Sequence, residues 1–177
     1  MLDSLRKMHL IWFVGVCTSL HLSAQTIESR KYSNEFLALG VDARAFAMSN
    51  AVVAGVNDVS AGYWNPAGLN QIQKPYQLGL MHAEYFAGIA KYDYGALALR
   101  IDEQSVMGLS IIRFAVDDIP NTTQLIQNGN IDYDRITSFS SADYAFLFSY
   151  ARKSAKVGLS YGGNAKIVRR VVGDFAN

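Results

Sequence analysis

The chain has 177 residues, with 16 Lys and Arg against 15 Asp and Glu, for a formal net charge of +1. Half of it is hydrophobic and 18% is charged, below the roughly 25% charged share of ordinary soluble domains. This composition excludes a disordered chain and a nucleic-acid binder that relies on bulk basic charge, and the length fits one domain.

The first segment, residues 1–24, reads as a secretory signal peptide. Arg6 and Lys7 form a basic start, Leu10 to Leu20 an apolar stretch, and Leu22-Ser23-Ala24 a run ending on small residues before Gln25. The apolar stretch is shorter than the about 20 residues a membrane-spanning helix needs. Removing residues 1–24 takes away Asp3, Arg6, Lys7, His9, Cys17 and His21. What remains has balanced charge, no cysteine, and His82 as its one histidine. That balance excludes disulfides, zinc sites built from Cys and His, and a cysteine nucleophile. Nothing around His82 resembles a nucleophile elbow, and neither a P-loop nor a GxGxxG run is present. The sequence therefore predicts no catalytic residue, no metal site and no cofactor, and a protein that is not an enzyme.

From Gln25 to about Gln73 small residues dominate. Alanines at 43, 45, 47, 51 and 54 predict a short helix around Arg44 to Val53, stopped by Gly55 and Asn57. Asn65-Pro66-Ala67-Gly68 is a turn signal. From Tyr76 onward the sequence alternates with a period of two, which reads as strand. Five runs carry it: Tyr76 to Ala83, Ile89 to Arg100, Ser105 to Val116, Ala142 to Ala151, and Val157 to Val168 continuing toward Val171. In the last two runs one set is aromatic and aliphatic, with Tyr144, Phe146, Phe148, Tyr150, Tyr161 and Ile167. The other set is small or polar, with Asp143, Ser149, Gly158, Ser160, Asn164 and Lys166.

Soluble strands average about 5–6 residues, whereas tilted membrane-spanning strands need about 9–11. Ile101 to Gln104 and Arg152 to Ala155 read as short turns at one end. Asp117 to Ser138 reads as a long acidic connection at the other end, where the short connection Tyr85 to Gly88 also falls. Short turns on one side and longer loops on the other are the habit of outer-membrane barrels. The expectation is an all-β protein, an antiparallel transmembrane β-barrel preceded by a small helical segment. About five strands cannot close such a barrel, so the sequence reads as the N-terminal portion of a longer chain. The alternative is a soluble β-sandwich or lipocalin-like barrel, with the aromatic set as buried core and the small, polar set wet.

Several charged residues are candidates for the interior. Arg44, with Asp42 or Asp58 as partner, and Asp143 and Lys166 on the small, polar set are expected as lumen charges that need partners. Lys91, Asp93 and Arg113 also lie within strands and are expected to face the lumen or to sit near an interface, and alternation alone leaves Arg113 unplaced. Tyr144, Phe148, Tyr150 and Tyr161 fit an interfacial aromatic girdle. Asp117, Asp118, Asp132 and Asp134 lack the spacing of a calcium loop and read as a solvated connection.

Asn57-Asp58-Val59-Ser60-Ala61-Gly62-Tyr63-Trp64-Asn65-Pro66-Ala67-Gly68-Leu69 resembles the N-terminal region of the PorV/PorQ family, which is related to FadL-like outer-membrane barrels. The runs Phe36 to Ala45 and Ala51 to Ala54 extend the resemblance. One departure stands out: the family's Gly-Met-Gly-Gly-Ala run is Ala47-Met48-Ser49-Asn50-Ala51 here. The resemblance implies a FadL-like barrel of about 14 strands, consistent with an even strand number. It makes residues 25–75 an N-terminal hatch, with Trp64, Asn65, Pro66, Ala67 and Gly68 as its motif, and residues 76–177 the first strands of the barrel wall. It further implies an outer-membrane component of the type IX secretion system of Bacteroidota. Such a component accepts cargo with C-terminal signal domains from the translocon and passes it toward the surface. Its implied partners are outer-membrane lipid, the translocon and cargo, and no nucleic acid. FadL-like relatives instead imply a channel for hydrophobic small molecules.

Overall fold

A period of two puts alternate side chains on opposite faces of a strand, and five long segments use it to build one sheet. The structure, a computed structural model, describes residues 33–127, 130–154, 158–173 and 175–176. The signal peptide expected over residues 1–24 lies outside them. Strands β1 (Tyr76–Tyr85), β2 (Ala90–Arg100) and β3 (Ser105–Asn121) form an antiparallel meander. A two-residue ribbon, β4 (Ile126–Gln127) with β5 (Asn130–Ile131), follows. The meander then resumes with β6 (Thr137–Lys153), β7 (Ser160–Val172) and the short β8 (Phe175–Ala176). The sheet order is β1-β2-β3-β6-β7-β8, open between β1 and β8. The five principal strands run 10, 11, 17, 17 and 13 residues, two to three times the soluble mean of about 5–6. No described helix is long and apolar enough to cross a membrane, which says nothing of strands.

Ahead of the sheet lie short helical pieces: a 3-10 turn at Glu35–Ala38, α1 (Ala43–Ala47), α2 (Ala61–Trp64) and a 3-10 helix at Pro66–Gln71. They pack on one face of the sheet, here the packed face. Phe36, Val41, Val56, Val59, Leu69 and Ile72 from these pieces meet Tyr92, Tyr94, Val106, Ile112 and Leu147 from the strands in one buried cluster. The opposite face is the open face. Its residues pair across the strands in rows: Tyr76, Leu99, Met107 and Tyr150, then Leu78, Leu97, Leu109 and Phe148, then Leu80, Gly95, Ile111 and Phe146. Most of these large apolar side chains are exposed, Leu80 at 78%.

Three expectations are corrected. The helix expected over Arg44 to Val53 ends at Ala47, because Ser49 and Asn50 adopt left-handed backbone. The connection expected over Asp117 to Ser138 is shorter, because β3 runs on to Asn121 and β6 begins at Thr137. A register shift between Val116 and Ile119 absorbs the acidic pair there, with Asp118 at φ 55. The last strand begins at Ser160 rather than Val157; Gly158, in left-handed backbone at φ 66, lies outside it, and Val157 is not among the described residues.

Candidate functional site

The N-terminal pieces are held to the sheet by backbone approach more than by side-chain bulk. Pro66 starts its 3-10 helix from an extended Asn65, at φ −155 and ψ 94, the backbone a residue before proline favours. Behind that helix, a Cβ at Gly162 of β7 would lie 2.8 Å from the Ala67 nitrogen and the Pro66 carbonyl carbon. A Cβ at Gly68 would meet the Val56 carbonyl oxygen at 2.5 Å. Only glycine leaves room at either place. Gly62 of α2 offers its carbonyl to two donors of the packed face, Ser149 Oγ at 3.1 Å and Asn164 Nδ2 at 2.8 Å. The Arg100 guanidinium on β2 donates to the carbonyls of Asn70, at 3.3 Å, and Ile72, closing the end of the 3-10 helix where unpaired carbonyls gather.

Inside the segment, Trp64 donates from Nε1 to the Val41 carbonyl at 3.0 Å and stacks edge-on to Tyr63 at 4.9 Å. Tyr63 donates to the Leu37 carbonyl, and burial pushes its phenol above the ordinary value. Asn65 Nδ2 donates to the Val53 carbonyl at 3.1 Å. Asp58 accepts from the Ser60 backbone N–H at 2.8 Å and from its hydroxyl at 2.5 Å. Arg44 lies 4.0 Å from Asp58 and donates to the Gly55 carbonyl at 3.2 Å. The motif residues Trp64, Asn65, Pro66, Ala67 and Gly68 are thus brought together with Arg44 and Asp58 in one segment. All seven serve its internal bonds and its seating on the sheet.

The strand charges divide between the faces. Asp143 is on the packed face and makes a two-pronged pair with Arg170, at 2.6 and 3.0 Å. Lys166 shares that face, opposite Leu147. Lys91, Asp93 and Arg113 are on the open face. Arg113, unplaced by alternation, donates to Asp93 Oδ2 at 3.0 Å, while His82 Nδ1 contacts Asp93 Oδ1 at 2.6 Å. His82, Asp93, Arg113, Tyr144 and Arg169 are register partners, one row across five strands. Lys91 reaches Asp117 at 3.0 Å one step farther along. Sequence reasoning missed this row because its successive members are 11 to 31 residues apart along the chain and meet only through register. It also missed the seat made by Gly162 and Asn164, although a glycine within a strand is itself a signal of close backbone approach.

Among the described residues no group of three His, Cys, Asp or Glu side chains is arranged to hold a metal ion. The turn between β2 and β3 is fastened by Asp102, whose carboxylate accepts the Gln104 N–H at 2.7 Å; that bond holds the carboxyl below its ordinary range. No curated protein and no solved structure matches the chain. A family model does: the one described as Type IX secretion system protein PorV matches residues 23–167.

Proposed function

The chain belongs to the PorV family of type IX secretion system proteins, and on that premise we propose that it is an outer-membrane β-barrel component of that system, accepting cargo with C-terminal signal domains and shuttling it to the cell surface. The observation that carries the barrel reading is the open face. Three adjacent rows of large apolar side chains, from Tyr76 and Leu99 to Leu80 and Ile111, stand exposed on strands of membrane-crossing length. Soluble proteins rarely expose a contiguous apolar surface of this kind. A soluble sandwich would bury this aromatic face and wet the small, polar one; on β6 the arrangement is the reverse, with Phe148 and Tyr150 exposed and Ala145, Leu147, Ser149 and Ala151 buried.

In this reading residues 25–75 are a hatch in the lumen, and the packed face is the inner wall. Arg44, Asp58, Asp143 and Lys166 are lumen charges. The end where the hatch joins β1 faces the periplasm, and the turn at 86–89 and the connection at 122–136 face outward. The loops of the outward end are where cargo and translocon would be met. The hatch sits directly on the wall through Gly62 and Gly162, which favours a fixed plug over an open path for hydrophobic molecules.

The test uses the full-length chromosomal protein. Outer membranes are extracted in mild detergent, and the protein's gel mobility is compared with and without boiling. A heat-dependent shift is expected of a barrel. Deletion of the gene is expected to abolish surface display of cargo with C-terminal signal domains. Unchanged display with no paralogue present would overturn the secretion role, and uptake of long-chain amphiphiles lost in the same deletion would turn the reading to a channel.

A further inference from the structure

Most of the open face is an uninterrupted apolar surface, but at one level it changes character. Gly95 contributes no side chain to the row it shares with Leu80 and Ile111, and a hollow of about 560 Å³ opens there. Its apolar floor is Leu80, Gly95 and Ile111, and its rim is His82, Asp93, Arg113 and Tyr144 from the next row. The rim is already ordered: Asp93 holds His82 with one oxygen and Arg113 with the other, at 2.6 and 3.0 Å. We propose that this hollow is a lipid site on the outer wall, specific for a lipid whose headgroup joins an anionic phosphate to hydroxyl groups.

The proposal rests on the barrel reading, which makes lipid the neighbour of this face. The chemistry of the rim selects the headgroup. A guanidinium has five N–H donors in a planar fork suited to phosphate, and Asp93 engages only part of that set. Tyr144, the register neighbour of Arg113, adds a hydroxyl donor. Asp93, whose two oxygens hold His82 and Arg113, keeps lone pairs to accept from a headgroup hydroxyl. One acyl chain lies in the hollow over Gly95.

The test reconstitutes the full-length protein in vesicles of dioleoylphosphatidylcholine containing a minor share of dioleoylphosphatidylglycerol. Lipid carried by the released protein is read by native mass spectrometry. Phosphatidylglycerol is expected to be retained in preference to phosphatidylcholine. Arg113→Gln is expected to cut that retention by about tenfold or more, the size of losing one charge-assisted hydrogen bond. Gly95→Leu puts a side chain on the floor of the hollow while keeping every rim residue, and its Cβ meets only Leu80, at an ordinary 3.5 Å; it is expected to cut retention while leaving the heat-dependent gel shift intact. Retention without preference, or preference undiminished in Gly95→Leu, overturns the lipid site and leaves the barrel standing. Failure of the wild-type protein to enter vesicles overturns both.

Discussion

Ser49 and Asn50 carry left-handed backbone, at φ 51 and 64, where an L side chain costs about 1–2 kcal/mol. These are two of the three positions at which the family's run has glycine, Ala47 being the third, so those two glycines answer a backbone demand that this chain meets with other means. Asn50 tolerates the conformation and uses its side chain, donating from Nδ2 to the Leu39 carbonyl at 3.2 Å. Ser49 is exposed and makes no comparable side-chain bond among the described residues. Ser49→Gly is therefore expected to stabilise the protein by about 0.5 to 1 kcal/mol, the relief of strain less the added entropy of glycine. Asn50→Gly is expected to give no gain, because the bond to Leu39 is lost. Unfolding midpoints of the two variants in the same detergent check the contrast. The left-handed pair also explains why alanine content misled at this point: helix propensity accumulates residue by residue, but two consecutive left-handed residues end a helix outright. Asp102 gives a second residue-scale expectation. Its carboxyl is held low by the Gln104 N–H, so its contribution is present above the ordinary carboxylate range and is lost as pH falls through its folded value. Asp102→Asn keeps an acceptor but removes the charge, and its unfolding midpoint is expected to fall less than that of the wild type on acidification.

At the scale of elements, the hatch and the wall are joined by a small number of directional bonds over a surface of glycine and serine. Ser149 and Asn164 both donate to the Gly62 carbonyl, so either alone keeps that carbonyl satisfied. Removing one is expected to cost about 1 kcal/mol, whereas the double variant Ser149→Ala with Asn164→Ala leaves a buried acceptor unpaired at about 1–3 kcal/mol beyond that. A double-mutant cycle on unfolding free energy checks this, and simple additivity would contradict the shared acceptor. The strands themselves were legible because a period of two survives every local substitution: all five runs expected from alternation are present. Their far ends were not legible. Pro120 looks like a strand breaker, yet it stands where β2 has already ended at Ala90 opposite Val116, so β3 pairs there with β6 alone. A proline is tolerated where one side of the strand has no partner to serve. Asp117-Asp118 looked like solvated loop for a similar reason, since a bulge is a matter of register and leaves no periodic trace.

For the whole molecule, the question is which medium the open face meets. Leu109 is in the middle of the three apolar rows, between Leu97 and Phe148. In a bilayer, Arg at such a place costs about 2–4 kcal/mol, with less toward the interfaces. In water the same change on an exposed strand position falls within about 0.5 kcal/mol. Leu109→Arg is thus expected to deplete the heat-shifting form from outer membranes, and Arg113→Leu, which adds an apolar side chain near the polar end of the same strand, is expected to leave assembly intact. If Leu109→Arg assembles as well as the wild type, the open face meets water, and the membrane reading falls with it. The two substitutions lie four residues apart on one face of β3, so a difference between them reports the charge brought into the apolar rows and not the strand's tolerance of substitution.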